Sequence, residues 1–467
     1  MASNADDERP GDDDETNADK PDEGGASPPN PFAGTPLESL FGTMGSGQMP
    51  DLQQLMGQVQ QLLTPHEGNI NWDLATQTAR QALTTSPDPS PLADQKARIA
   101  DAGRLAEHWL DDATDLPSAT STVAAWSRAE WVEATRPTWQ RLVEPIADNV
   151  VRAMGEAMPA EARQMAGPLL GILNQVGGAM FGQQVGQAIG ELAGEVVGTT
   201  DVGLPLTDPG TAALLPANVA AFGSGLAQSD EDVLLYLALR EAAHHRLFDH
   251  VPWLRGRLFG AVEEFGRGTT IDVSKIEDQL TRLDPSDPQS MQEALAGGLF
   301  EPERTPTQQA ALDRLETLLA LVEGWVDEVV TQATRDRMPS AQPLREAIRR
   351  RRAAGGPAEQ TFASLVGLEL RPRRLRDAAN LWAAMRDAKG AAARDAVWAH
   401  PDLMPGAADL DDPLGFVQSD RDAETSGVGD DAFDEALARL LDDGPAPDDS
   451  DTDDGSDSDD SGGGSTQ

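Results

Sequence analysis

The sequence predicts a mainly α fold, a multi-helix body with disordered acidic tails at both ends. Three observations predict it. Apolar residues recur at three- and four-residue spacing in segment after segment, and strand-like alternation is scarce. The two ends, finally, are too polar to build a core: residues 1–30 hold ten acids against two bases, and residues 411–467 hold nineteen acids against Arg421 and Arg439. Such compositions bury too little apolar surface to offset chain entropy. The expected organisation is a disordered acidic tail over 1–34, a helical body over 35–420, and a short amphipathic helix with a second acidic tail over 421–467.

Residues 50–63 place Leu52, Leu55, Met56, Val59, Leu62 and Leu63 at helical spacing. Asn71 to Asp73 opens a second helix that runs through Leu83, and the proline-rich stretch 85–92 is a linker and candidate sub-boundary. Residues 93–157 are helical again, anchored by Trp109, Trp126, Trp131 and Trp139. Between 178 and 198 glycine recurs every fourth residue, at Gly178, Gly182, Gly186, Gly190, Gly194 and Gly198. On a helix these form a groove that lets another backbone approach, and packing must recover a cost of roughly 1 kcal/mol per glycine. Gln183, Gln184, Gln187, Glu191 and Glu195 interrupt the segment, so it lacks the run of about 18 apolar residues that reads as a membrane span. A buried helix of a soluble body is expected.

After the loop 203–210, residues 229–232 (Ser-Asp-Glu-Asp) form a helix-capping signal, and Pro252 stops the next helix at about Val251. The segment 269–288 is a connection. The helix 308–334 carries the stripe Leu312, Leu315, Leu319, Val322, Val326 and Val330, with Glu323 at its edge, Asp327 one turn further along that edge and Glu328 on the opposite, solvent side. The basic patches at 345–352 and 371–376 are expected to be a solvated face or a dock for the chain's own acidic tail, with an anionic partner as the alternative. Residues 431–442 place Phe433, Leu437, Leu440 and Leu441 on one face of a short helix that docks on the body or on a partner.

Composition excludes several chemistries. The chain has no cysteine, so disulfides, thiolate metal sites and cysteine nucleophiles are absent. A net charge of −43 argues against nucleic-acid binding through phosphates. The acidic, proline-rich N-terminus lacks the basic start and apolar run of a signal peptide, so a cytoplasmic location is expected. No phosphate-binding loop is visible, and Ser224 lacks the flanking glycines of a nucleophile elbow, with Phe222 and Leu226 in their places.

Chemistry concentrates instead in residues 239–254, which hold three of the six histidines. At 100° per residue, Val233, Leu237, Glu241, His244 and Phe248 share the core-facing stripe, flanked by Arg240 and His245. Ionisable groups there need partners, because an unpaired buried charge costs several kcal/mol or is neutralised. A single histidine on such a face is more often a hydrogen-bonded core residue than a ligand, and Trp253 and Trp325 are expected in the core.

The segment Arg240-Glu-Ala-Ala-His244 resembles the His-Glu-x-x-His helix of zincin metallopeptidases with its first histidine replaced by arginine. Gly177-Gly-Ala-Met-Phe-Gly182, Gly203-Leu-Pro-Leu206, His250-Val-Pro-Trp-Leu254, Gly355-Gly-Pro-Ala-Glu-Gln-Thr-Phe362 and Leu368-Glu-Leu-Arg-Pro-Arg-Arg374 extend the likeness. Together, over about residues 35–420, they resemble the actinobacterial zincin-like hydrolase family, whose members are commonly described as zinc-dependent metalloproteases or hydrolases. The resemblance implies a zincin-like body, Glu241 as the catalytic general base, and His244 and Glu323 as zinc ligands, with His245, His250 and Asp327 as accessory candidates. It also implies a departure. Arginine cannot ligate, and a Glu-Gly-x-x-x-His pattern on the later helix reads Glu323-Gly-Trp-Val-Asp-Glu328 here. Arg240 is therefore a candidate structural replacement for the metal, its guanidinium holding Glu241, Glu323 or Asp327. A di-iron site would need a second Glu-x-x-His pair, which the histidine positions do not supply.

Two functions stay open on these residues. One is a zincin-like metallohydrolase, a zinc-dependent metalloprotease with an incomplete metal site. The other is a catalytically inactive zincin-derived helical scaffold, without zinc, whose partner is a protein or peptide.

Overall fold

The computed structural model describes residues 68–157, 167–267, 305–354, 361, 365 and 374–418, all within one compact unit, Pro65–Gln467. The expected helices at 50–63 and 431–442, the connection 269–288 and the acidic tails lie outside the described residues. The fold is mainly α, as expected.

Its first helices are α1 (Trp72–Ala82), α2 (Ala93–Leu110) and α3 (Arg128–Ala157). Asn71 caps α1 by accepting a hydrogen bond from Leu74 N at 3.0 Å. In the stretch before α3, Asp88 accepts from the backbone N of Arg128 and of Ala129. The glycine-rich segment becomes α4 (Gly167–Ala193), which packs along α1. A Cβ at Gly182 would stand 2.5 Å from Asn71 O, and one at Gly190 would stand 2.8 Å from Ala79 O. The groove expected from the glycine period is real, and α1 fills it.

Two short strands, β1 (Val123–Ala125) and β2 (Ala212–Leu214), pair in parallel. The chain leaving α4 joins them: Leu215 N donates to Val197 O and Thr199 N to Ala213 O. These bonds pin residues 197–199 against β2 and the start of α5 (Pro216–Gly223), which leads into α6 (Asp230–His250). Ser229 caps α6 by accepting from Asp232 N, and the helix ends two residues before Pro252.

From Val233 to Phe248 every α6 residue except Leu235 is buried. The helix packs on α2 and on α8 (Pro306–Thr334), while α7 (Leu254–Arg267) packs on α3 and α8. On its other side α8 meets α10 (Leu375–Lys389), and α9 (Ala341–Ala353) crosses both α6 and α8. The short α11 (Ala391–Ala396) and α12 (Ala407–Asp411) follow, and a helical stretch over 413–418 closes the described chain. Trp325 is fully buried and donates to Asp395 Oδ1 at 2.9 Å, and the half-buried Trp253 stacks on Trp398. Among the described residues, no helix is long and apolar enough to cross a membrane.

Candidate functional site

The α6–α8 crossing brings the ionisable residues of both helices together inside the core. Arg240 Nη2 donates to Glu323 Oε2 at 2.7 Å, and His244 Nε2 lies 3.0 Å from Glu323 Oε1. His244 Nδ1 faces the carbonyl oxygen of Arg240 at 2.8 Å, so both ring nitrogens point at acceptors. The third partner of Glu323 comes from α9: Arg352 Nη2 lies 2.7 Å from Oε1. Glu323 is 0% exposed. Burial pushes its carboxyl up, but Arg352, the contact with His244, and Arg240 together outweigh burial and hold it well below the ordinary carboxylate range.

Glu241 points elsewhere. Its Oε1 accepts from Thr199 N at 2.9 Å and from the Thr199 hydroxyl, and its Oε2 accepts from the Thr200 hydroxyl at 2.6 Å. Such close seating requires Gly198, where a Cβ would stand 2.5 Å from Glu241 Oε2. Gly203 closes the same turn with φ +81, a left-handed conformation natural to glycine, and a Cβ there would lie 3.4 Å from Glu323 Oε1. The loop after α4 therefore caps both carboxylates. Of the three acids offered to Arg240 by sequence, it takes Glu323.

His245 is fully buried beside this turn. Its Nε2 lies 3.0 Å from Thr199 Oγ1 and 3.4 Å from Glu241 Oε1, and its Nδ1 lies 3.7 Å from Asp249 Oδ2, too far for a hydrogen bond but close enough for charge. Burial alone would lower its pKa; Asp249 and Glu241 overcome that and raise it from 6.5 to about 9. The same pairing keeps Glu241 and Asp249 below their ordinary values against the effect of burial. A histidine whose folded pKa is raised contributes stability that is complete below pH 6.5 and is lost as pH climbs through about 9. The advantage of wild type over His245→Asn, on the order of 3 kcal/mol at pH 6, is expected to decay between pH 6.5 and 9 in urea titrations. A pH-independent difference would sink the assignment.

Asp327 is buried, but not as an accessory to the His244–Glu323 pair. Arg345 Nε reaches both of its oxygens at 2.9 Å, and Arg349 Nη2 lies 2.8 Å from Oδ2. Arg351 Nη1 donates to Asp201 Oδ2 at 2.8 Å, and Arg352 Nη2 to Asp201 O at 3.1 Å. The expectation of a solvated arginine face, or of a dock for the acidic tail, is therefore corrected at Arg345, Arg349, Arg351 and Arg352. Their partners are acids of the body, on α8 and on the loop after α4. Nor does Glu328 point to solvent: it is 4% exposed and paired with Arg386 of α10, because α8 is covered on more than one side. His250 sits exposed at the end of α6, outside the buried cluster.

Sequence reasoning does not find Thr199, Thr200, Asp201 or Tyr236 as members. Tyr236 lies one turn before Arg240, and burial raises its phenol to about 12. Only the arginines offer a signal. Arg345, Arg349 and Arg352 recur at four and three residues, one helical face, matching the four-residue step from Glu323 to Asp327.

The family model described as zincin-like metallopeptidase matches residues 70–417. A crystal structure of a hydrolase candidate with a novel fold from Chloroflexus aurantiacus superposes with a TM-score of 0.54 at 23% identity, covering 75% of this chain and 99% of that one. That likeness is one of fold. No curated protein matches the chain.

Proposed function

Because the chain belongs to the zincin-like metallopeptidase family, we propose that it is a member whose peptidase centre has become a buried ion-pair cluster, and that it acts as a non-hydrolytic helical scaffold. The observation that carries this reading is the Arg240–Glu323 pair, 2.7 Å long, with side chains 8% and 1% exposed. A catalytic zinc has three protein ligands and an open fourth position for water. Against that requirement, the first ligand position is an arginine. His244 Nε2 and Arg352 both address Glu323 Oε1, and Glu328, where the family pattern has a histidine, is tied to Arg386. Among the described residues no group of three histidine, aspartate or glutamate side chains is placed to hold a metal. These residues do not fit a catalytic zinc. Glu241, the family's general base, is occupied by four donors of the Thr199–Thr200 turn.

A second reading, a zinc-dependent hydrolase, is favoured by one specific feature. Glu241 and His244 keep their family spacing on α6, and His244 still converges on Glu323 of α8. The neighbouring crystal structure of a hydrolase candidate is consistent with it.

Metal content and peptidase turnover of the purified full chain separate the two. On the first reading the protein is expected to carry no stoichiometric zinc, and its activity on an unstructured protein substrate is expected to equal that of Glu241→Gln. Stoichiometric zinc that is lost in His244→Ala, with turnover abolished in Glu241→Gln, would establish the second reading instead.

A further inference from the structure

We infer that Arg240 and Arg352 act as one unit, together supplying to Glu323 the two positive charges that a divalent cation would bring. This rests on the metal-free reading above and assigns the replacement to a pair of residues from different helices rather than to Arg240 alone.

The geometry divides the work. Arg240 occupies Glu323 Oε2 and Arg352 occupies Oε1, each at 2.7 Å, so each carboxylate oxygen receives one guanidinium. Oε1 is also the oxygen that His244 Nε2 faces. A cation shared by His244 and Glu323 would thus have to displace Arg352 first, whatever residue stands at 240. Nor is Arg352 a chance rotamer. Its Nη2 also donates to Asp201 O, and its helix is fastened by Arg351 to Asp201 and by Arg345 and Arg349 to Asp327. A fixed planar guanidinium suits this role, since it presents hydrogen-bond donors that stay charged in the protein interior. The sum of charges also agrees: two guanidiniums on one carboxylate leave the same net charge as a divalent ion on that carboxylate.

The test is zinc titration of wild type, Arg240→His, Arg352→Gln and the Arg240→His/Arg352→Gln double variant, against a chromophoric chelator. Circular dichroism checks the fold, and melting temperature gives a second readout. Wild type and both single variants are expected to take up no stoichiometric zinc. The double variant is expected to bind one zinc per chain, at least about tenfold more tightly than either single variant, and to melt higher when zinc is added. Stoichiometric zinc in wild type would overturn the metal-free reading itself. Full uptake by Arg240→His alone would leave that reading standing and overturn the paired role of Arg352, as would a folded double variant that binds none. Should the double variant not fold, Arg352→Gln decides the matter by its sign in two backgrounds. It is expected to lower the melting temperature of wild type and to raise that of Glu323→Gln, where Arg352 has lost its partner. The same sign in both would overturn the inference.

Discussion

Replacing Glu323 with glutamine is expected to destabilise the protein by about 3–5 kcal/mol, the cost of breaking a buried ion pair from one side. The magnitude comes from the groups left behind. Glu323 is the common acceptor of Arg240, Arg352 and His244, and glutamine keeps its shape while removing the charge. One of the two carboxamide positions becomes an NH₂ group, which must then face a guanidinium donor at the distance where an oxygen stood. Two cations are left in a core from which water is largely excluded, and neither can be deprotonated to escape the cost. Urea unfolding of Glu323→Gln beside Glu346→Gln measures the effect. Glu346 is about half-exposed and pairs with Arg349, so its loss is expected to cost less than about 1 kcal/mol. A Glu323→Gln loss no larger than that of Glu346→Gln would mean that the cluster does not hold α6, α8 and α9 together.

Much of that cluster's skeleton can be read from the sequence, and the misreadings have a common cause. Helix α6 is legible because its limits are local: Ser229 caps through its own next turn, and Pro252 ends the helix by its ring. The stripe shared by Glu241 and His244, and the position of Glu323 at the edge of the α8 stripe, come from 3.6-residue periodicity alone. Periodicity says which way a side chain points from its helix, but not what lies there. Glu328 points away from the apolar stripe as expected, yet α10 lies on that side and brings Arg386. A wheel with one apolar stripe describes a helix packed on one face, and α8 is buried almost continuously from Leu318 to Val330. The arginines of α9 escape the same reasoning, since their acids are up to 151 residues away in the chain. Thr199 and Thr200 are reached through a loop 42 and 41 residues before Glu241, held by a pairing of three-residue strands too short to show alternation. The glycine period on α4, by contrast, carries its meaning openly: a helix with no side chains along one row can only be a surface for close backbone contact.

That row yields the second large effect. Gly186→Leu is expected to detach α1 from α4, at a cost at or above the range of about 1–3 kcal/mol usual for overpacked sites. Even the first carbon of the new side chain has no room. A Cβ at Gly186 would overlap the carbonyl oxygen of Ala75 and stand 2.8 Å from Thr78 Cβ and 2.9 Å from Ala75 C. Two of these three atoms belong to helix backbone, which cannot turn aside as a side chain can, so α1 must move as a body. Its movement would break the neighbouring close approaches at Gly182 and Gly190, where Asn71 O and Ala79 O meet the same row. Helix propensity acts in the opposite direction, since leaving glycine gains up to roughly 1 kcal/mol in a helix interior. Gly177 isolates that gain: it lies on α4 with nothing within 4 Å of where a Cβ would stand. Gly177→Ala is accordingly expected to raise the melting temperature slightly, while Gly186→Ala lowers it and Gly186→Leu lowers it furthest. Limited proteolysis supplies the structural readout, with cleavage within Trp72–Ala82 appearing in Gly186→Leu and not in Gly177→Ala. If Gly186→Ala were as stabilising as Gly177→Ala, the glycines would be helix-weakening residues without a packing purpose, and the close contact of α1 with α4 would lose its physical basis.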